Sequence, residues 1–149
     1  MAETFTVTMT NEFADNTDEN VITIDWTSHV SDGTCDGDIC DVFTTAQKLV
    51  GHATIQPSRV KGYIKAIETI PGSEGDLTTA TPDNGYDIEL QDSYGYDLAG
   101  GSLADRSDSA AEKVIPSSPI PVDDEITLAI SNAGNSKQGR IKIYVSPGP

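Results

Sequence analysis

Phe5, Val7 and Met9 alternate with threonines at 4, 6, 8 and 10. A period of two is the period of a strand with one apolar face. The same period returns at Ile22, Ile24 and Trp26, at Tyr86, Ile88 and Leu90, at Ile126, Leu128 and Ile130, and at Ile141, Ile143 and Val145. Each set predicts a strand with those side chains facing inward, and Trp26, the single tryptophan, reads as a core anchor. Residues 48–55 and 59–70 predict two further strands broken at Pro57-Ser58. Tyr63-Ile64 interrupts the alternation of the second, which predicts a β-bulge.

The segments between are rich in turn formers. Residues 11–20 are acidic, 31–41 (SDGTCDGDICD) predict a loop because Gly and Asp dominate, and a long polar loop runs from Pro71 to Asn84. Asp92-Ser93-Tyr94-Gly95 and Asn132-Ala133-Gly134-Asn135 predict tight turns. The stretch 102–113 has room for one short helix, where Ser109-Ala110-Ala111-Glu112 has the form of a capping box. Pro116, Pro119 and Pro121 stop any helix beyond it. Arg140 and Lys142 fall on the outward positions of the last strand, as Asp87 and Glu89 do on theirs. The four charges are expected to match if those strands pair.

About seven or eight short strands separated by turns predict an all-β fold, a two-sheet antiparallel β-sandwich of jelly-roll type with at most one short helix. No repeat at fixed period argues for a solenoid or propeller. A chain of 149 residues reads as a single domain, 1–149, with 146–149 (Ser-Pro-Gly-Pro) a flexible or partner-bound tail.

Composition sharpens this. A content of 36% hydrophobic and 22% charged residues belongs to a folded chain rather than a disordered one. The net charge of -15 repels nucleic acid and anionic membranes and leaves cations or a basic protein surface as electrostatic partners. The charge is uneven: no Lys or Arg precedes Lys48, whereas ten Asp and Glu residues do. The N-terminus lacks the basic start and apolar core of a secretory signal, and no apolar run is long enough to span a bilayer. Synthesis in a cytoplasm without export is the expectation.

Few residues point to chemistry. His29, Cys35, Cys40 and His52 are the only His and Cys, and their order fits no zinc-finger spacing. Cys35 and Cys40 can close a small disulfide loop under oxidising conditions or stay as two free thiols in a reducing cytosol. Asp32, Asp36, Asp38 and Asp41 crowd one Gly-rich loop and are candidate calcium ligands. The spacing is not that of an EF-hand, and a solvated acidic turn is the simpler account, so no metal and no cofactor are expected. Nucleophile-elbow, P-loop and dinucleotide-fingerprint spacings are absent. The Gly-rich run 95–101 leads into no clear helix, which argues against a phosphate cradle. Tyr86, Tyr94 and Tyr96 form either a sugar-binding platform or core and rim packing, and the second is the better fit. The expectation is no catalytic residue and no enzyme.

From Arg59 onward the order of motifs resembles a group of small virion-associated proteins of tailed bacteriophages. The matching pieces are a strand ending in Ile70-Pro71-Gly72, then Tyr86-Asp87-Ile88-Glu89-Leu90 with Asp92 and Gly95. Asp97-Leu98-Ala99-Gly100-Gly101 with Ala104-Asp105-Arg106 follows. Leu128-Ala129-Ile130-Ser131-Asn132-Ala133-Gly134 and Gly139-Arg140-Ile141-Lys142-Ile143-Tyr144-Val145 complete the run. Residues 1–58 carry no such resemblance. It implies a structural part of a particle with no active site: a capsid decoration or cement protein on the virion surface, bound to the major capsid protein or other virion proteins. Self-association, a trimer included, is expected of such a protein. The alternatives are a tail, neck or fibre-base component, a carbohydrate-binding module, and an acidic DNA mimic.

Overall fold

A computed structural model describes residues 4–11, 20–29, 34–38, 54–56, 59–72 and 81–146 of the chain. These form ten strands: β1 (Thr4–Asn11), β2 (Asn20–Thr27), β3 (Cys35–Asp38), β4 (Thr54–Gln56), β5 (Arg59–Pro71), β6 (Asp87–Gln91), β7 (Glu112–Val114), β8 (Ile120–Asp124), β9 (Thr127–Ser131) and β10 (Gln138–Ser146). All pairings are antiparallel. They make two sheets, one of seven strands built on the order β1-β2-β10-β5-β4 and one of three in the order β3-β9-β6.

The long strand β5 organises the larger sheet. It pairs with β10 through 63–71 and with β7 and β8 through 67–69 and 60–64. A strand has two edges, so β7 and β8 together form one interrupted strand opposite β10, and β4 continues the β10 side. The pairing rows place alike residues together. Ile22, Ile143 and Ile67 share one row, and Ile24 and Ile141 share the next. All five are buried, as the alternation predicts.

On β5 the buried residues Ile64 and Ile67 are three apart, a spacing no regular strand can turn to one face. A bulge resolves it: Tyr144 pairs with Ala66 and Val145 with Ile64, leaving Lys65 as the extra residue. The disturbance predicted at Tyr63-Ile64 therefore centres one position further on.

One hydrophobic cluster draws side chains from both sheets, Ile22, Ile24 and Ile143 from the larger and Ile88, Leu90 and Leu128 from the smaller. Trp26 on β2 meets Tyr86, just before β6, with ring centroids 5.7 Å apart and planes tilted by 47°. Trp26 pairs with Gly139 in the ladder, and a Cβ at 139 would lie 2.5 Å from the indole. The ring lies across the bare backbone of β10.

Three sequence expectations are corrected. No helix occurs among the described residues, which agrees with at most one, but the Ser109-to-Glu112 run is not a capping box. Ser107 Oγ instead accepts from Ser109 N and Ala110 N, at 3.1 and 3.2 Å, while Glu112 opens β7. The hydroxyl that organises this turn belongs to a residue two positions earlier, and pairing with β5 draws Glu112 into the sheet. Within the expected loop 31–41, Cys35–Asp38 is a strand, because β9 supplies a ladder that local composition does not reveal. The charge match between Asp87, Glu89 and Arg140, Lys142 does not form, since β6 and β10 belong to different sheets. Arg140 pairs with Asp25 at 2.6 Å on its true neighbour β2, and Lys142 lies opposite Glu68 on β5.

Candidate functional site

The loop after β6 is the most organised irregular segment. Residues 92–106 return along the outer edge of β6 and satisfy its backbone. Leu98 N donates to Leu90 O at 2.7 Å, Ile88 N to Leu103 O at 3.1 Å, and Arg106 N to Tyr86 O at 2.7 Å. The side chain of Leu103 is fully buried and anchors the return. An edge that would otherwise offer unpaired N–H and C=O groups is thereby closed.

Aspartates hold the loop. The Asp97 carboxylate accepts from Leu90 N at 3.2 Å and Ala99 N at 3.1 Å through Oδ1, and from Gly101 N at 2.8 Å through Oδ2. Asp92 Oδ1 accepts from Tyr94 N at 2.9 Å and Tyr96 N at 3.0 Å. Asp87 accepts from Asp105 N at 3.0 Å and from Asn132 Nδ2 at 2.6 Å, which ties the loop to the end of β9. These carboxylates act as backbone acceptors, the use that Asp serves in turns. The Gly-rich run 95–101 takes part in the same geometry. The Gly101 amide already faces a carboxylate that belongs to the chain.

At the tip, Tyr94 and Tyr96 are 84% and 72% exposed. Gly95 between them has φ of +85°, a conformation that suits glycine. Tyr86 parts company with them. It is fully buried against Trp26, so the three tyrosines do not make one platform. Its phenol is pushed up to about 12, first by burial and then by the negative charge of Glu112, with Arg106 and the Thr69 hydroxyl opposing the rise. Among the described residues neither Tyr86 Oη nor Trp26 Nε1 has a hydrogen-bond partner, so the nearby Thr69 hydroxyl moderates the phenol without satisfying it.

Two residues beyond Trp26, Ser28 is buried and closes the β9–β10 connection. Its hydroxyl donates to Gly134 O at 2.6 Å and accepts from Lys137 N at 2.8 Å. Gly134 has φ of +83°, and a Cβ there would lie 2.7 Å from the Asp83 carboxylate.

The sequence-predicted sites fare unequally. Cys35, Asp36 and Asp38 lie on β3. Cys40, Asp32, Asp41 and His52 lie outside the described residues, so the disulfide and calcium expectations fall there too. His29 holds its strand end through backbone bonds to Thr34 and Ser136. Among the described residues no three His, Cys, Asp or Glu side chains converge as metal ligands. Reading the tyrosines as a cluster missed Asp97, whose sequence signal was present: an Asp followed by Ala-Gly-Gly offers the free amides a carboxylate can collect. The site can present two aromatic side chains on a preorganised tip. No family model matches the chain, and no curated protein or solved structure shows significant similarity to it.

Proposed function

We propose that this chain is a non-enzymatic structural protein of a tailed-phage virion, a decoration or cement protein bound to the major capsid lattice on the particle surface. In this reading the two sheets pack as one jelly-roll-like β-sandwich domain. The observation that carries it is the ordered run of motifs from Arg59 to Val145 that resembles small virion-associated proteins. The charge of -15 supports it physically, because a shell-binding protein must stay dispersed before assembly and must not adhere to packaged DNA. The Asp-pinned loop 92–106 fits the same purpose, since a closed sheet edge leaves binding to chosen surfaces.

The test is the copy number of the chain in purified particles of the encoding phage, measured against the main shell protein by quantitative mass spectrometry. A number comparable with the shell protein is expected. A small fraction of it would move the chain to the tail, neck or fibre base, and absence would overturn the structural role. Exposure of Tyr94 and Tyr96 favours a second reading, a carbohydrate-binding module. Binding to a glycan array that disappears in Tyr94→Ser/Tyr96→Ser would select it.

A further inference from the structure

The sheet edges of this molecule differ in composition and covering, and β1 stands apart from the rest. The outer edge of β6 is hydrogen-bonded by 97–106. The β7–β8 edge carries Glu112, Lys113, Asp123 and Asp124, and Pro121 withholds a donor. Strand β3 carries Asp36 and Asp38, and β4 is only three residues long. These are the devices that discourage strand addition. Among the described residues strand β1 has none of them. It reads Thr-Phe-Thr-Val-Thr-Met-Thr-Asn, eight residues without charge or proline in a chain of net charge -15. Among the described residues only β2 pairs with it.

From this edge we infer that the protein forms a two-fold dimer in which β1 pairs antiparallel with β1 of a second copy, with Val7 opposite Val7. Charge selects the occupant. The net charge of -15 opposes association over the body of the molecule, whereas β1 meets β1 with no charge on either strand. The sequence is also self-complementary in one register. With Val7 on the axis, Phe5 faces Met9, Thr6 faces Thr8 and Thr4 faces Thr10. Apolar positions meet apolar positions and threonine meets threonine, the pairs that stabilise neighbouring strands. The same register extends existing rows, because Phe5, Val7 and Met9 stand opposite Trp26, Ile24 and Ile22 on β2. A slip by one residue would set threonines in line with those buried rows. The interface is isologous, so it closes at two copies and does not propagate. This inference is independent of the virion reading.

Sedimentation of the purified full chain tests it. The expected mass is twice the 15.8 kDa of one chain, and a single-chain or threefold mass overturns the proposal. Register is read with charge. Thr6→Lys/Thr8→Lys sets lysine against lysine across the axis and is expected to give single chains with native near-ultraviolet circular dichroism from Trp26. Thr6→Glu/Thr8→Glu is expected to do the same, and an equimolar mixture of the two to regain the doubled mass. A lysine variant that stays dimeric and native overturns the interface, as does a mixture of native variants that stays monomeric. A Val7→Cys variant gives a check that does not depend on those proteins folding. Facing residues of paired strands lie within disulfide range. An intermolecular bond joining position 7 of both copies, mapped by mass spectrometry under mild oxidation, is expected, and its absence overturns the register.

Discussion

Gly139 has no side chain because Trp26 occupies the space where one would stand. Gly139→Ala must move either a fully buried indole or the backbone of β10, and overpacking of this kind costs about 1–3 kcal/mol. A lowered urea midpoint with altered Trp26 fluorescence is the expected result. Tyr86 makes the opposite prediction. Its hydroxyl is buried with no hydrogen-bond partner among the described residues, so Tyr86→Phe removes an uncompensated polar group and leaves stability at neutral pH unchanged or slightly raised. The two proteins separate in alkali. Below pH 10.0, the ordinary value of the phenol, it is neutral both folded and unfolded. Between that value and about 12 the unfolded chain ionises and the folded one does not, so stability drains away as pH rises. Two pH units correspond to about 2.7 kcal/mol. Urea titrations through this range should show wild type losing roughly that much more than Tyr86→Phe. Trp26 and Tyr86 were both legible as inward residues from alternation alone. The need for Gly139 was not, because it arises only when β2 and β10 are neighbours.

Elements with a clean period of two, β1, β2, β6, β9 and β10, could be read from local sequence because burial on one face dictates their pattern. The strands that escaped are β3 and β8, whose Gly, Asp and Pro local rules assign to loops, and β7, three residues inside the stretch 102–113, where local sequence has room for a helix. Pairing to β9 or β5 overrides that preference. Pro121 can sit in β8 because that strand meets β5 on one side and lies at an edge. The covered edge of β6 was equally hidden, since Asp97 acts on amides up to seven residues away along a chain that must first turn back. Asp97→Ala leaves the amides of Leu90, Ala99 and Gly101 without that acceptor and should lower stability by about 1–3 kcal/mol. Hydrogen exchange supplies the element-level readout. The Leu90 amide should lose protection in the variant, while Ile143, paired between β2 and β5 in the larger sheet, keeps its own. Equal loss at both positions would mean that the loop is part of the cooperative core rather than a cover laid over its edge.

For the whole molecule, the separation between a charged body and an uncharged edge decides how it responds to salt. Each copy carries -15, and a dimer joined through β1 brings these charges together without any ion pair at the contact. Long-range repulsion therefore opposes an association driven by backbone hydrogen bonds and apolar rows. The screening length falls from about 30 Å in 10 mM salt to about 8 Å at 150 mM. Raising sodium chloride across this range should weaken the repulsion and leave the attraction nearly untouched. Sedimentation equilibrium is expected to show dissociation constants that fall as salt rises. An interface built on acid–base pairs would show the reverse, because screening would remove the attraction itself. The sign of the salt dependence thus distinguishes association through the neutral strand from association through the acidic face. Thr6→Lys/Thr8→Lys extends the argument. Its added repulsion lies at the contact and within even the shorter screening length, so high salt should recover only part of the lost affinity, whereas the mixture with Thr6→Glu/Thr8→Glu should recover it at low salt and lose it as salt rises.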